Sequence, residues 1–411
     1  PYKVPDSLKS WVMQNLGATV PEKFKSIENA NIAFAMNVDG DKVKVVPKAN
    51  VFNYLPTDKA LGVDFLLNAD FIPDSNRKGL HNVEWNYIIL EEAGKSFVRL
   101  IEELISEGRY DVSTVFDILP INTFEDSFSK SFRKGFDEAI VNSRFIPVDG
   151  EDRAYSIEEI FYDADGFTFG NHQMISDEDL YSVLNDSRRL PAKAVRTHPK
   201  LVFLLEKYCK NKMNKDWLLS LVGTGRLNNW LTDVQHNSTF HEYVFNHCSD
   251  NEILRLQTFL ASDGQLHRSQ WLFYEMDEWF DDLAFLGDAV LRLNPNVRTY
   301  LEQKVHDRLS YYSANGCFKR FEPLSWTGEI LSQPRDSKLW NQETNSKSFL
   351  HFLAIASRSA QYLSFRGGNF PLMTENGNMT QDYSTLFIKD DYGSSVLEYP
   401  WVDKQWINFI S

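Results

Sequence analysis

Residues 50–104 read NVFNYLPTDKALGVDFLLNADFIPDSNRKGLHNVEWNYIILEEAGKSFVRLIEEL, and the order of elements in this stretch decides the fold. Val51-Phe52-Asn53-Tyr54-Leu55-Pro56-Thr57 is an apolar strand closing in a tight turn. A second apolar run covers 63–71, with Asn68 and Asp70 spaced two apart. A polar loop follows, Pro73-Asp74-Ser75-Asn76-Arg77-Lys78-Gly79-Leu80-His81. A long amphipathic helix then starts near Glu84. Ile89, Ala93, Phe97, Leu100, Ile101 and Leu104 recur at three- and four-residue steps, the period of a helix with one buried face. Gly108 stands where a helix ends on glycine. Strands followed by a packed helix predict an α+β arrangement, a mixed sheet over 31–109 with the 84–108 helix on one face.

The loop carries the chemistry. Ser75 and Asn76 are residues that cap turns and helix starts. Gly79 permits close backbone approach. Arg77 brings a permanently charged planar fork that suits phosphate. The bland alternative is a solvated arginine in a surface loop.

Four short motifs in this order, Leu55-Pro56-Thr57, Asn68-Ala69-Asp70-Phe71, Ser75-Asn76-Arg77 and Trp85-Asn86, resemble the segment that follows the ATPase domain in sacsin-type proteins. They also resemble, more faintly, the middle domain of the 90-kDa heat-shock chaperones. The likeness covers about residues 24–109. It implies a GHKL ATPase whose middle domain has a ribosomal-protein-like βαβ fold and acts as a transducer. In that family a loop arginine within an Asn-x-Ser-Arg-Glu pattern reaches the γ-phosphate in a neighbouring ATP pocket. By resemblance Arg77 takes that place, with Asn76 and His81 beside the nucleotide. Two positions depart from the family: Lys78 stands for its Glu, and His81 for its Gln.

Outward from this stretch, residues 6–16 read as a short amphipathic helix. Residues 31–46 read as a hairpin: Ile32, Phe34 and Met36 alternate, Asp39-Gly40 supplies the turn, and Val43, Val45 and Val46 return. A further helix is predicted near 128–141, after a break at Pro120. Beyond it a pattern recurs three times: an apolar strand, an Asp-Gly or Asn-Gly turn, and an aromatic strand ending in acids. The turns are Asp149-Gly150, Asp263-Gly264 and Asn376-Gly377. Their near-equal spacing predicts duplicated hairpin-plus-helix units. Helices are predicted between them over 177–184, 199–222, 241–259, 281–293, 297–313 and 348–362. The organisation read from the sequence is therefore a transducer domain over 1–140 and a duplicated region over 141–411.

Across 411 residues, the 43% hydrophobic and 14% aromatic content is that of a globular chain with a sizeable core. A net charge of −14 with no basic block argues against a nucleic-acid surface. No apolar run approaches the roughly 20 residues a membrane helix needs, and no signal peptide is visible. Cys209, Cys248 and Cys317 are far apart and odd in number, which fits a reducing, cytoplasmic compartment. The chain reads as a piece of a longer protein.

No nucleotide pocket is legible. Asp165-Gly166, Gly223-Thr224-Gly225 and Arg366-Gly367-Gly368 are isolated turns, and none has the lysine and hydroxyl spacing of a P-loop. ATP and Mg2+ are thus expected in the intact parent, on an N-terminal ATPase domain of the same chain, and not in this piece, which on its own should not hydrolyse ATP. A client protein is the other implied partner, with no nucleic acid or membrane. Two other readings stay open. One is an interaction scaffold with no nucleotide role. The other is a metal-dependent hydrolase built on His236, His241, His247 and Cys248, or on the acidic run Glu275, Asp277, Glu278, Asp281 and Asp282.

Overall fold

The computed structural model describes residues 1–47, 49–121, 125–170, 173–274 and 291–319, and the backbone of 372–373 and 379–380. The chain divides into two compact units, Pro1–Leu218 and Leu219–Ser411. It is α+β.

In the first unit, β1 (Tyr2–Lys3) and β2 (Asn29–Ala30) pair around α1 (Asp6–Asn15). The main sheet holds β3 (Ile32–Ala35), β6 (Asn50–Asn53), β7 (Leu55–Ala60) and β8 (Leu66–Ala69) in the order β3-β8-β6-β7. Between β3 and β6 the chain forms a two-stranded ribbon, β4 (Asn37–Asp39) with β5 (Lys42–Lys44). The expected hairpin over 31–46 is therefore split. Its tip closes on itself with Gly40 at φ 62°, while Phe34 pairs with Leu67 of β8. β8 runs parallel to β6 and antiparallel to β3. The parallel pair is joined through the strand β7, not through a helix.

α2 (Glu84–Ser106) and α4 (Ser127–Ile140) pack together, with α3 (Val112–Phe116) between them in sequence. Of the α2 stripe, Ile89, Ala93, Phe97, Ile101 and Leu104 are buried and Leu100 is only half-buried, and in the strand run Val63, Phe65 and Leu67 are buried. Phe65 and Phe97 stack with ring centroids 4.0 Å apart, and Phe34 meets both rings edge-on. Each fully buried phenylalanine contributes about 1.5–3 kcal/mol of transfer free energy.

The two helices meet backbone to backbone. A Cβ built on Gly135 would sit 1.8 Å from the Glu91 carbonyl oxygen, and one on Gly94 would sit 2.2 Å from that of Phe132. Around this contact Lys95 pairs with Glu91, Glu92 and Glu138, and Lys134 with Glu91.

Asp126 starts α4. Its carboxylate accepts from the Phe128 and Ser129 amides and the Ser129 hydroxyl, and Lys59 lies 2.9 Å away. Burial raises its pKa, but the bonds from Ser129 and Lys59 outweigh this and hold it at about 2. Asp126→Ala is expected to cost about 1 kcal/mol, the usual worth of such a cap, and the difference from wild type should vanish as pH falls from about 4 towards 2. Urea melts at pH 7 and pH 2.5 check both halves; an unchanged gap at pH 2.5 refutes the assignment.

The rest of the first unit is α5 (Asp177–Leu184), α6 (Pro199–Tyr208), the parallel pair β9 (Tyr162–Asp163) and β10 (Lys212–Met213), and the start of α7 (Lys215–Gly223). The helix predicted over 199–222 is thus two helices. The chain leaves α6 at Cys209 because Lys212 and Met213 complete the ladder beside Tyr162 and Asp163. The helix predicted over 241–259 is also divided, because Ser249 and Glu252 form a reciprocal cap that begins a new one. In the second unit this gives α8 (Asn228–Leu231), α9 (Val234–His247), α10 (Asp250–Arg255) and then β11 (Gln257–Leu260), paired with β12 (Leu266–Arg268). The helix predicted over 297–313 breaks at Val305 into α11 (Pro295–Lys304) and α12 (His306–Ala314). Residues 291–293 are extended, with Leu293 bridging Ala261 and Arg292 bridging Phe273. Residues 281–290 and 348–362 lie outside the described residues.

Two of the three turn sites sit in similarly bonded surroundings. Gly150 and Gly264 have φ of 76° and 78°, each between antiparallel partners, Ile146 with Tyr155 and Leu260 with Leu266. In the first, the Phe161 amide donates to Arg189 O at 2.8 Å and the Tyr162 amide to Asn211 O at 3.0 Å. In the second, the Phe273 amide donates to Leu291 O at 2.9 Å and the Lys319 amide to Leu272 O at 2.8 Å. Both central segments are flanked on two sides by parallel neighbours that come later in the chain. In both, the first neighbour leads into a helix beginning with proline, Pro199 or Pro295. The third turn, Asn376-Gly377, lies outside the described residues, between β13 (Leu372–Met373) and β14 (Met379–Thr380), which pair antiparallel.

Candidate functional site

The polar loop is a closed hairpin. Pro73 bridges Leu80, and the Asp74 amide donates to Gly79 O at 3.0 Å. The Arg77 amide returns to Asp74 O at 3.1 Å, so 74–77 form one turn. Asn76 Oδ1 accepts from the Lys78 amide at 2.8 Å, an Asx turn that fixes the following residue. Gly79 is tight for the reason its residue type suggests: an added Cβ would lie 2.8 Å from Asp74 Oδ2.

Arg77 stands at the apex with φ of 61°. A turn followed by one left-handed residue is a common hairpin closure, and glycine usually takes that place. For an arginine the left-handed region costs roughly 1–2 kcal/mol. Asn76, Arg77 and Lys78 are exposed. Among the described residues no hydrogen bond or ion pair engages the Arg77 guanidinium.

Below the loop, the other motif residues form a buried polar frame. Asp70 accepts from the Asn31 amide at 2.7 Å and from the Tyr54 hydroxyl at 2.6 Å. That bond, with the carboxylate charge behind it, raises the Tyr54 pKa. Asn68 Oδ1 accepts from the Tyr54 amide at 3.0 Å. Trp85 Nε1 donates to Asp70 O at 2.7 Å. Asn86, fully buried, spans the base of the loop. Its Oδ1 accepts from the Ile72 amide at 2.8 Å, and its Nδ2 donates to Ile72 O and His81 O, both at 2.7 Å. His81 thus joins the site through its backbone, its amide also donating to Ile72 O. On the next strand the Asp58 amide donates to Lys78 O at 2.6 Å.

The sequence reading did not single out Tyr54. It has φ of 60°, and Tyr54 and Leu55 are each about two-thirds exposed at the tip of the β6–β7 hairpin. Two of the three left-handed non-glycine residues among the described residues, Tyr54 and Arg77, thus fall in the turn before β7 and in the loop after β8. No sequence signal marks a tyrosine for that conformation.

The histidine and cysteine candidates are not drawn together. His236 stacks on Trp230 and His247 on Tyr243, while Cys248 is buried. Among the described residues no three His, Cys, Asp or Glu side chains are placed to hold a metal. The acidic run from Glu275 to Asp282 lies outside the described residues.

His241 is fully enclosed, its ring stacked on Phe259 at 3.9 Å, with no hydrogen-bond partner at either nitrogen. Burial pushes its pKa down to about 3. Its neutral form therefore supports the fold above the unfolded-state value near 6.5, and that support falls as pH drops from 6.5 towards 3, by about 1.4 kcal/mol per unit. His241→Leu should flatten this slope and leave stability at pH 7 unchanged or higher, since two orphaned polar atoms are removed. Denaturant melts from pH 7 to pH 4 read both effects; an equally steep loss in the variant would place the acid sensitivity elsewhere.

Among the described residues no helix is long and apolar enough to cross a membrane. No family model, curated protein or solved structure matches the chain.

Proposed function

We propose that the region over 1–140 is a transducer that presents Arg77 to the γ-phosphate of ATP. The nucleotide and its Mg2+ would be held by an ATPase domain N-terminal to it, in the manner of sacsin-type GHKL proteins, where it would take the middle-domain position. Asn76 and the His81 backbone shape the approach to the phosphates. The hairpin-plus-helix units that follow receive the resulting movement and hold a client protein.

One observation carries this reading. An exposed arginine occupies a strained left-handed apex, its guanidinium free of partners among the described residues. Strain of this kind persists where the surroundings over-determine it, and it clusters at functional sites. The likeness rests on the loop and its frame, not on a helical crossover within the sheet.

The test is ATP turnover by a chain that carries both the nucleotide-binding domain and this region, with and without Arg77. Equal turnover would remove the link to ATP. The purified 411-residue chain alone is expected to show no magnesium-dependent turnover; robust hydrolysis would also sink the reading. The scaffold reading is favoured by the two similarly bonded units around Gly150 and Gly264, and it predicts that ATP changes no partner affinity.

A further inference from the structure

We propose that Asn86 is the residue that positions Arg77; the inference rests on the reading of Arg77 as a phosphate contact. A primary amide offers two N–H donors and one carbonyl acceptor group. Asn86 directs all of them at two residues, Ile72 and His81, which lie immediately outside the Pro73–Leu80 bridge. One side chain therefore grips both legs of the loop. It does so at 0% exposure, where no water competes for the bonds. Because Asn86 belongs to the first turn of α2, the loop and the helix are fastened as one body.

Above the neck the loop is closed by the Asp74 amide bond to Gly79 O and tied to β7 by the Asp58 amide bond to Lys78 O; at the neck itself the ties are fewer. The His81 amide bond to Ile72 O is the one direct backbone tie at that level, and Ile72 O is shared with Asn86. Without the amide, the Ile72 amide and His81 O lose their side-chain partners in a dry site. The legs then separate or admit water, and the closed loop above them shifts about its remaining tie to β7, the Asp58 amide bond to Lys78 O. A long side chain at the end of a shifting loop is poorly aimed, and a displacement of about 1 Å at a reacting centre can cost about a hundredfold in rate. Asn86 does not reach the nucleotide itself and acts through the loop.

Asn86→Asp is the informative variant. It keeps an acceptor for the Ile72 amide, leaves at most one O–H donor where Asn86 has two N–H donors, and stays close to the original size. Asn86→Ala removes all three bonds. Trypsin cuts after arginine and lysine, so cleavage at Arg77 and Lys78 in the purified chain reports on the loop with no nucleotide present, and amide exchange over 74–79 gives a second reading. Both variants should be cut, and should exchange, about fivefold to a hundredfold faster, the range that losing a buried hydrogen-bond partner corresponds to. Circular dichroism should be unchanged.

In a chain carrying the ATPase domain, either variant should lower kcat about as much as Arg77→Ala does while leaving ATP affinity intact. Adding Arg77→Ala on top should cost nothing further. Wild-type cleavage and exchange in both folded variants overturns the positioning role, whatever ATP does. A loosened loop with full turnover, where Arg77→Ala slows turnover, also overturns it. If Arg77→Ala itself has no effect, the phosphate reading fails and the positioning role for it falls too, even where cleavage shows the neck has opened.

Discussion

Replacing Gly135 with alanine is expected to lower the thermal midpoint of the first unit by roughly 4–8 °C or more. The added methyl would stand 1.8 Å from the Glu91 carbonyl oxygen. Both groups belong to helix backbone, so neither can rotate away as a side chain would. α2 and α4 must separate, which loosens the Phe65–Phe97 stack and the Phe132 contact beside it. Overpacking costs about 1–3 kcal/mol where side chains can adjust. Here only backbone can, so the cost should lie at or above that upper end, less about 1 kcal/mol gained from alanine's better helix propensity. In a unit of this size each kcal/mol shifts the midpoint by about 2–4 °C. Gly108→Ala is the control. It also places a methyl on a glycine, at φ of 62°, but nothing lies within 4 Å of it, so the change should cost only about 1–2 kcal/mol of backbone strain. Equal melting of Gly135→Ala and wild type would mean that the helices are not in backbone contact.

Arg77→Ala should slow ATP hydrolysis roughly tenfold to a thousandfold in a chain that carries the nucleotide domain, while ATP binding is spared. As the γ-phosphoryl group is transferred, charge is redistributed over its oxygens. A positioned guanidinium in a dry site stabilises that arrangement more than the ground state. Arginines inserted in this way contribute about a thousandfold or more in other phosphoryl-transfer systems. A smaller value is expected where domain closure partly limits turnover. Arg77→Lys should recover only part of the rate, because a point charge does not reproduce the planar fork. Arg77→Gly separates function from stability. Glycine relieves the strain of the left-handed apex, so this variant should fold at least as well as wild type and still hydrolyse slowly. Undiminished turnover in Arg77→Gly would leave the arginine a tolerated surface residue.

Burial of Val63, Phe65 and Leu67 and of most of the α2 stripe was legible from period, although Leu100 is only half-buried and the buried Leu90 and Val98 lie outside that stripe. Every apolar position that α2 turns inward recurs at three or four residues, and Gly108 marks its end. Position 77 shows what period cannot supply. The loop contains a glycine, Gly79, the residue type that takes a left-handed conformation most readily. The structure gives that conformation to Arg77 and uses Gly79 to make room for the Asp74 carboxylate. Which residue takes positive φ is set by where the ends of the loop are pinned, and the pin is a side chain on the following helix. The frame behaves in the same way. Asn68, Asp70, Trp85 and Asn86 could be seen as a set of motifs, but their joint task appears only when the chain brings residues 14–16 positions apart into bonding distance. The helices over 199–222 and 241–259 were also read too long. Local helical preference runs through both; the first is broken by distant pairing, Met213 with Asp163, and the second by the Ser249–Glu252 cap that starts a new helix before β11.

That long-range pairing bears on how the protein is made. The segment 160–163 lies between two neighbours, near Arg189 and at 211–213, and both are synthesised after it. On the ribosome it leaves the tunnel with neither edge satisfied, and at about 5–20 residues per second it waits several seconds for the second one. Phe273 faces the same delay until Lys319 emerges. During each interval a short aromatic strand is open to pairing with another nascent chain. Synthesis speed through 190–213 and 292–319 should therefore govern how much of this protein reaches the native state, with slow codons there raising the aggregated fraction.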